Sequence, residues 1–299
     1  MLLSVVVPHL NQENYLKRCL ESLAAQQRVE AELEIIVVDN GSRKMPKEVC
    51  QGWPNVRLLS EIEPGPGPAR NRGISDAKGD LLAFIDADCT AHPDWLASIE
   101  TAFHDSATQI IGGDVQVSYA DPTNPTFLEP YEAIYSYRNN EHIAEGFSGT
   151  GNLATRPEVM ADVGPFAGIS MAEDRDWGLR AGAKGYPIRY VPEMIVYHPA
   201  RDTFAALAQK WDRHVAHDYH DFLEKPLGRL KWLARAVAVA GSPVFEFKRL
   251  ATSPRVNGFN ERWLAFLCLV RIRVHRARRM VSVAVQSTND AHSGAWNRD

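Results

Sequence analysis

The feature that most constrains the fold of this chain is a short apolar segment that ends in two carboxylates. Residues 81–85 are all apolar, and Asp86 and Asp88 follow them with only Ala87 between. Five apolar residues in a row are typical of a strand that is covered on both faces. In an open α/β sheet a ligand binds beyond the carboxyl ends of the strands. The pattern therefore predicts a buried strand that presents two acidic side chains to a ligand.

The two carboxylates allow two interpretations. Mg²⁺ and Mn²⁺ prefer one or two carboxylates together with phosphate oxygens, so Asp86 and Asp88 predict a site for either cation. Alternatively, the carboxylates cap the helix that begins near Pro93. Nothing in core packing requires two acidic residues directly after a buried strand. The metal interpretation is therefore favoured.

The composition is that of a globular protein with a real core, since 45% of the 299 residues are hydrophobic and 23% are charged. The four cysteines have no CxxC spacing, which predicts neither a zinc site nor a disulfide framework. The apolar N-terminus is too short for a signal peptide and fits a first strand. These features predict a cytoplasmic protein.

The pattern of apolar residues predicts alternating strands and helices. Buried-strand patterns occupy residues 3–7, 33–38 and 56–59, and helical spacing occupies residues 16–24 and 69–77. With the strand at 81–86 the order is β-α-β-β-α-β, which predicts an α/β fold with a mostly parallel, three-layer sheet. Further along the chain the patterns predict a loop, two helices and two strand regions. They are the loop 63–68, the helices 93–103 and 171–183, the strand 109–117, and one or two strands in 188–197.

Residues 121–145 are harder to assign. Their aromatic side chains fit either the core of a second half of the molecule or the lining of an acceptor pocket, and the core is favoured. These side chains are Phe127, Tyr131, Tyr135 and Tyr137.

Five short motifs follow one another along the first two thirds of the chain. They are Pro8-x-x-Asn11, Val37-Val38-Asp39-Asn40-Gly41-Ser42, Gly67-x-Ala69-Arg70-Asn71-x-Gly73, Phe84-Ile85-Asp86-Ala87-Asp88 and Glu173-Asp174. In this order and spacing the chain resembles glycosyltransferase family 2 over residues 1–200. The resemblance implies a Rossmann-like GT-A fold, a nucleotide diphosphate sugar as donor, a Mn²⁺ or Mg²⁺ ion and inversion at the anomeric carbon.

The resemblance also assigns residues to the donor. Asp39 would accept hydrogen bonds from the nucleoside base or ribose, and Pro8 and Asn11 would frame the base. Arg70 would bind the diphosphate or the base, and Asp86 would hold the ribose or water on the metal. Taken without the resemblance, Asp39 is equally a turn residue and Arg70 a solvated surface residue.

The metal and the base are assigned in the same way. Asp88 corresponds to the usual metal ligand of the family, and His198 is a further candidate ligand. Asp174, next to Glu173, corresponds to the base that deprotonates the acceptor, although Asp176 could take that role. Acidic residues at a helix start also serve as caps, and a lone histidine can be structural.

The predicted reaction is transfer of a single sugar to a saccharide or lipid-linked acceptor, in cell-envelope, exopolysaccharide or glycolipid synthesis. Processive synthases of the family carry Gln-x-x-Arg-Trp, whereas this chain has Gln209-Lys210-Trp211-Asp212-Arg213. Two alternatives remain: a nucleotidyltransferase that makes a sugar nucleotide, and a catalytically silent membrane adaptor with the same fold. The first would require a glycine-rich, basic loop after the first strand, and residues 8–12 do not form one.

The charge of the chain divides it into regions. The net charge is −4, yet residues 225–285 contain 13 Lys or Arg and two Glu. The predicted division is a catalytic domain at 1–224, with a nucleotide-binding part at 1–118 and an acceptor part at 119–224. A basic amphipathic helical region at 225–285 and a disordered tail at 286–299 follow.

The basic region predicts a membrane partner. Its apolar run at 263–270 is shorter than the roughly 20 residues that span a bilayer, and five arginines follow within residues 271–279. Residues 227–285 are therefore expected to bind an anionic membrane, which would place the protein peripherally on the inner face of the cell membrane. The alternative is a helical cap on the catalytic domain. Because the remainder of the chain is acidic, nucleic acid is not expected as a partner.

Overall fold

The computed structural model describes residues 1–27, 30–169, 171–223 and 227–285. Contacts divide the chain into two compact units. The first contains Met1–Gln116 and Arg138–His198, and the second contains Val117–Tyr137 and the described residues from Pro199 onward. The predicted division at residues 118 and 224 stays a prediction, and the predicted tail at 286–299 lies outside the described residues.

One sheet of eight strands is present in the described part of the chain, with the order β3-β2-β1-β4-β7-β6-β8-β5. Strands β3, β2, β1 and β4 are parallel neighbours, whereas β7 is antiparallel to both β4 and β6. The strands are β1 (Leu2–His9), β2 (Glu32–Asp39), β3 (Val56–Ser60), β4 (Leu81–Ile85), β5 (Thr90–Ala91), β6 (Ile110–Ser118), β7 (Asn152–Thr155) and β8 (Ile188–Pro199).

Helices of the first unit are α1 (Glu13–Ala24), α2 (Lys47–Gln51), α3 (Pro66–Asp76), α4 (Trp95–Phe103), α6 (Asn139–Ala144), α7 (Pro157–Val163) and α8 (Glu173–Ala183). Helices of the second unit are α5 (Leu128–Tyr135), α9 (Phe204–Leu223), α10 (Gly228–Gly241), α11 (Phe247–Thr252) and α12 (Gly258–Val285), with a short 3-10 helix at Ser242–Glu246. The helical character predicted for the C-terminal region is confirmed.

Strand β4 explains why its sequence is apolar without alternation. Leu81, Ala83 and Ile85 belong to a core cluster that also contains residues of α1 and α4. Leu82 and Phe84 point to the opposite face and pack in a cluster with residues of α7 and α8. Because helices cover both faces, every position of the strand must be apolar. The predicted buried strand and three-layer arrangement are confirmed.

Helix α3 begins earlier than the sequence predicts. Residues 63–68 are expected to form a loop, yet the helix starts at Pro66, directly after Gly65 with φ 123°. Proline is favoured in the first turn of a helix because its missing N–H needs no partner there, and glycine tolerates the positive φ before it. Arg70 therefore lies in the second turn of the helix rather than the first.

The second unit has its own core. Tyr131 of α5 is buried and stacks on Tyr135 with ring centroids 5.2 Å apart, and Phe127 packs against the same cluster. For Tyr131 the predicted core role is confirmed. Across the described ranges, no helix has both the length and the apolar character needed to cross a membrane.

Gly73 provides a test of how closely α3 packs on the sheet. A Cβ at this position would lie 2.4 Å from Val6 Cγ1 and 3.2 Å from Val38 Cγ2. We expect Gly73→Ala to lower the free energy of unfolding by about 1–3 kcal/mol through overpacking, measured by urea denaturation. Gly182→Ala is the matched control, because a Cβ there meets nothing within 4 Å and alanine favours a helix by up to about 1 kcal/mol. Equal stability of the two variants would contradict the close packing.

Candidate active site

The acidic residues identified from the sequence lie at one edge of the sheet. Strands β1 and β2 run in parallel register, with His9 opposite Asp39, and β4 lies beside β1. Because parallel strands end at the same edge, His9 at the end of β1, Asp39 at the end of β2, and Asp86 and Asp88 after β4 all lie there. This edge is the carboxyl edge of the sheet. It is where open α/β sheets bind ligands.

Asp39 and Asn11 stabilise the same turn. The backbone N–H of Ser42 donates to Asp39 Oδ2 at 3.2 Å. Asn11 donates its own N–H to Ser42 Oγ at 2.8 Å and accepts the N–H of Arg43 at Oδ1, at 2.9 Å. Pro8 lies on β1 opposite Val38, next to Asp39. The three residues predicted to surround the nucleoside are thus neighbours, and their contact with a nucleoside stays a prediction.

His9 is a site residue that the sequence did not indicate, because its contact with Asp39 depends on the register of β1 and β2. Its ring is fully buried, and Nδ1 lies 3.0 Å from Asp39 Oδ1. The backbone N–H of Gln12 donates to Nε2 at 3.1 Å, so the ring hydrogen is on Nδ1 and points at Asp39. Burial lowers the pKa of His9 more than the Asp39 carboxylate raises it. A neutral His9 therefore orients Asp39.

Arg70 joins the end of β4 to the start of α8. Its guanidinium is 3% exposed and donates to Asp86 Oδ1 at 2.6 Å and to Glu173 Oε1 at 3.0 Å. Burial raises the pKa of Glu173 above its usual value, although Arg70 opposes the shift. Arg70 Nε is buried without a hydrogen-bond partner. Direct contact between Arg70 and a donor diphosphate or base stays a prediction, since both terminal nitrogens already bind carboxylates.

Gly151 makes room for Asp86. A Cβ at residue 151 would lie 2.5 Å from Asp86 Oδ2, so any larger residue would displace the carboxylate from its position beside Arg70. The sequence shows a glycine-rich bend at 147–153, but nothing in it indicates which side chain the bend approaches. The close contact identifies Gly151 as part of the site.

Asp88 and His198 meet because of the pairing between β5 and β8. Thr90 lies opposite Tyr197 in that antiparallel pair, which brings His198 Nε2 to 3.4 Å from Asp88 Oδ2. Gln12 Nε2 donates to the same oxygen at 3.3 Å. One ligand atom each of Asp88, His198 and buried Cys89 lies within 4.8 Å of the other two. A carboxylate oxygen and an imidazole nitrogen are suitable ligands for Mn²⁺, so the residues present fit the implied metal.

The first turn of α8 carries three carboxylates in different environments. Glu173 is paired with Arg70, and Asp176 Oδ2 lies 2.9 Å from the guanidinium of Arg180. Asp174 Oδ1 accepts the N–H of Arg175 at 2.7 Å. No ion pair formed by the described side chains includes Asp174. Of the three, it is the carboxylate left for an external proton donor.

Comparison with known proteins identifies the family. The model of glycosyl transferase family 2 matches residues 4–177. Glycosyltransferase AglE of Haloferax volcanii is 33% identical over 214 residues, which cover 69% of each chain. The chain belongs to glycosyl transferase family 2 and is a glycosyltransferase.

Solved structures with the same fold confirm the predicted GT-A architecture. S. aureus TarS 1–349, solved in complex with UDP-GlcNAc, superposes with a TM-score of 0.54 at 18% identity, covering 95% of this chain and 89% of TarS 1–349. The mannosyltransferase PcManGT from Pyrobaculum calidifontis, solved with GDP-Man and Mn²⁺, superposes with a TM-score of 0.58 at 18% identity, covering 95% of this chain and 86% of PcManGT. At this identity the likeness concerns the fold alone.

The Arg70 bridge generates a stability prediction. Arg70→Ala would leave Asp86 and Glu173 without a positive partner, so we expect the free energy of unfolding to fall by about 3 kcal/mol. The pKa of Glu173 would rise further, and the variant would bind a proton more readily than the wild type in the folded state. The deficit is therefore expected to be smaller at about pH 5 than at about pH 8.

Urea denaturation at the two pH values measures both effects. Arg72→Ala is the matched control, because Arg72 lies on the same helix, is exposed, and its side chain donates a hydrogen bond to Ser75 Oγ of the same helix. We expect it to change stability by less than about 0.5 kcal/mol. A deficit for Arg70→Ala no larger than that of the control would show that the bridge is unimportant for stability.

Proposed function

We propose that this glycosyltransferase moves a single sugar from a nucleotide diphosphate sugar to a saccharide or lipid-linked acceptor, with inversion at the anomeric carbon and with Mn²⁺ or Mg²⁺. The observation that carries the proposal is the bridge from Asp86 through Arg70 to Glu173. The bridge brings Asp86 and Arg70, two of the predicted donor residues, next to Glu173, the neighbour of the predicted base Asp174, and this proximity supports the proposal. The complexes of TarS with UDP-GlcNAc and of PcManGT with GDP-Man and Mn²⁺ support this class of donor.

The nucleoside would bind at Asp39. Each oxygen of this carboxylate already accepts one hydrogen bond, from His9 or from Ser42, and each has a second lone pair for the base or ribose. Pro8 and Asn11 would frame the base from the end of β1. Asp86 would bind the ribose, and Arg70 would lie close enough to add positive charge near the diphosphate.

Asp88 and His198 would hold the cation. When bound, a divalent cation neutralises the negative charge that develops on the departing nucleoside diphosphate. Arg70, which is paired with Asp86, contributes further positive charge. The family assignment favours transfer of a sugar over formation of a sugar nucleotide, the first alternative.

Asp174 would be the catalytic base. As the acceptor oxygen bonds to the anomeric carbon, its proton passes to the Asp174 carboxylate, and the bond from carbon to the diphosphate oxygen breaks with its electron pair on that oxygen. Attack from the face opposite the leaving group gives inversion. Glu173 is held by Arg70 and would fix the first turn of α8 in place.

The base assignment is tested by two matched substitutions. We expect Asp174→Asn to lower kcat by about 100-fold or more, since general base catalysis contributes at least about that factor, with donor binding unchanged. Asp176→Asn is expected to retain kcat within a few-fold, because Asp176 is occupied by Arg180. Product formation by chromatography and anomeric configuration by NMR are the measurements. If only Asp176→Asn lost activity, the base would be Asp176. If both kept full activity, neither Asp174 nor Asp176 would be the base.

We further propose that the acceptor is reached at the inner face of the cell membrane, through residues 227–285. Aromatic side chains in this region point into solvent: Phe245 is 87% exposed, Phe247 72% and Phe259 80%. Lys248 and Arg249 directly follow Phe247. Exposed aromatic rings beside basic residues are typical of surfaces that enter the interface of an anionic membrane. A helical cap on the catalytic domain is the alternative, and it gives these rings no role.

Vesicle flotation distinguishes membrane binding from a helical cap. We expect the wild type to float with phosphatidylglycerol vesicles and to remain unbound with phosphatidylcholine vesicles. The double variant Phe245→Ser, Phe247→Ser should bind at least about tenfold more weakly, because burial of each ring contributes about 1.5–3 kcal/mol. Ile62→Ser is the control, since Ile62 is 92% exposed and lies in the first unit. Equal flotation of wild type and double variant would remove the membrane assignment.

A further inference from the structure

Residues 9–12, at the end of β1 and in the turn that leads to α1, contact both ends of the predicted donor site. We propose that His9 and Gln12 are positioning residues that link the nucleoside carboxylate Asp39 to the metal carboxylate Asp88, so that nucleoside and divalent cation bind cooperatively. The inference rests on the proposed function, because it takes Asp39 and Asp88 as the two binding residues. It adds a route between them that does not involve the diphosphate.

A continuous chain of hydrogen bonds defines this route. His9 Nδ1 donates to Asp39 Oδ1 at 3.0 Å, and the backbone N–H of Gln12 donates to His9 Nε2 at 3.1 Å. The Gln12 side chain then donates from Nε2 to Asp88 Oδ2 at 3.3 Å. Gln12 is the pivot, since its backbone reaches towards Asp39 and its side chain reaches Asp88.

The backbone of the turn is arranged for this geometry. Asn11 has φ 55°, in the left-handed region that residues other than glycine seldom adopt. Its side chain and its N–H are both held, by the N–H of Arg43 and by Ser42 Oγ. Backbone conformations of this kind persist where surrounding contacts determine them and are concentrated at functional sites. The left-handed residue directly precedes the Gln12 N–H that donates to His9.

Burial makes the two ends of the chain depend on each other. His9 is 1% exposed and Asp39 4% exposed, so neither can replace a lost internal hydrogen bond with water. A cation on Asp88 would order the carboxylate and, through it, Gln12 and the His9 ring. Asp39 would then be ordered before the nucleoside arrives, and the nucleoside would meet a smaller entropic cost. Coupling of this kind is reciprocal.

A nucleoside without phosphates isolates the coupling, because it lacks the diphosphate oxygens that would bind the cation directly. The experiment titrates the full chain with Mn²⁺ and follows free Mn²⁺ by electron paramagnetic resonance, with and without a saturating nucleoside. The nucleoside is the one whose diphosphate raises the thermal midpoint most. In the wild type we expect the nucleoside to lower the Kd for Mn²⁺ by about fivefold, the lower end of typical coupling.

Gln12→Ala should bind Mn²⁺ and nucleoside separately, with the ratio of the two Mn²⁺ Kd values reduced to nearly one. Asn14→Ala, at an exposed position on α1, is the matched control and should retain the wild-type ratio. Thermal midpoints of both variants show that they are folded. If Gln12 had only a structural role, Gln12→Ala would lower the thermal midpoint and leave the ratio of the two Mn²⁺ Kd values unchanged.

The outcomes separate this inference from the proposed function. If the wild type binds Mn²⁺ and nucleoside independently, or if Gln12→Ala keeps the full ratio, the coupling is wrong and the donor site stands. If the wild type binds no Mn²⁺, the metal assignment fails and the coupling fails with it.

Discussion

The ion pairs of Arg70 are the interaction on which the arrangement of the site depends. A guanidinium that is 3% exposed has lost its water, and two carboxylates, on β4's end and on α8, replace that water. Removing charges from water costs about as much as the pairing returns, so such bridges are weak sources of stability. The role of this bridge is to fix the positions of three elements relative to one another. It ties α3, the end of β4 and the first turn of α8 together through one side chain.

The carboxylates of the site fall into two groups, those that pair with an arginine and those that do not. Arg70 pairs with both Asp86 and Glu173, and Arg180 pairs with Asp176, whereas Asp88 faces His198 and Asp174 accepts a backbone N–H. Carboxylates without an arginine partner are the ones available to a cation or to an acceptor hydroxyl. The assignment of Asp88 to the metal and of Asp174 to the acceptor proton therefore has a basis in charge as well as in family resemblance. Both remain proposals of function.

Much of the fold could be predicted because it depends on local patterns. The apolar run before Asp86 predicts a strand covered on both faces, and helices pack on both faces of that strand. The start of α3 was missed because Pro66 reads as a loop residue when its place at a helix start is not considered. The sequence also did not indicate the short helix α2.

The contacts of the site were less predictable, because they join residues far apart along the chain. His9 meets Asp39 through the register of β1 and β2, and Gly151 meets Asp86 through a bend more than sixty residues away. A histidine or a glycine in the sequence does not indicate which distant residue it will contact. Asp88 and His198 were both identified as metal candidates, yet only the pairing of β5 with β8 shows that they are neighbours.

We propose that this edge of the sheet binds a nucleoside diphosphate together with a divalent cation held by Asp88. The most direct measurement is the thermal midpoint of the wild type and of Asp88→Asn with a panel of nucleoside diphosphates, each with and without Mn²⁺, since a ligand of the native state raises the midpoint. For the nucleoside diphosphate with the correct base, diphosphate and Mn²⁺ together should raise the thermal midpoint of the wild type by more than the sum of their separate effects. In Asp88→Asn this additional increase should be absent. An unchanged response of Asp88→Asn, or no response of the wild type to any diphosphate, would contradict the claim.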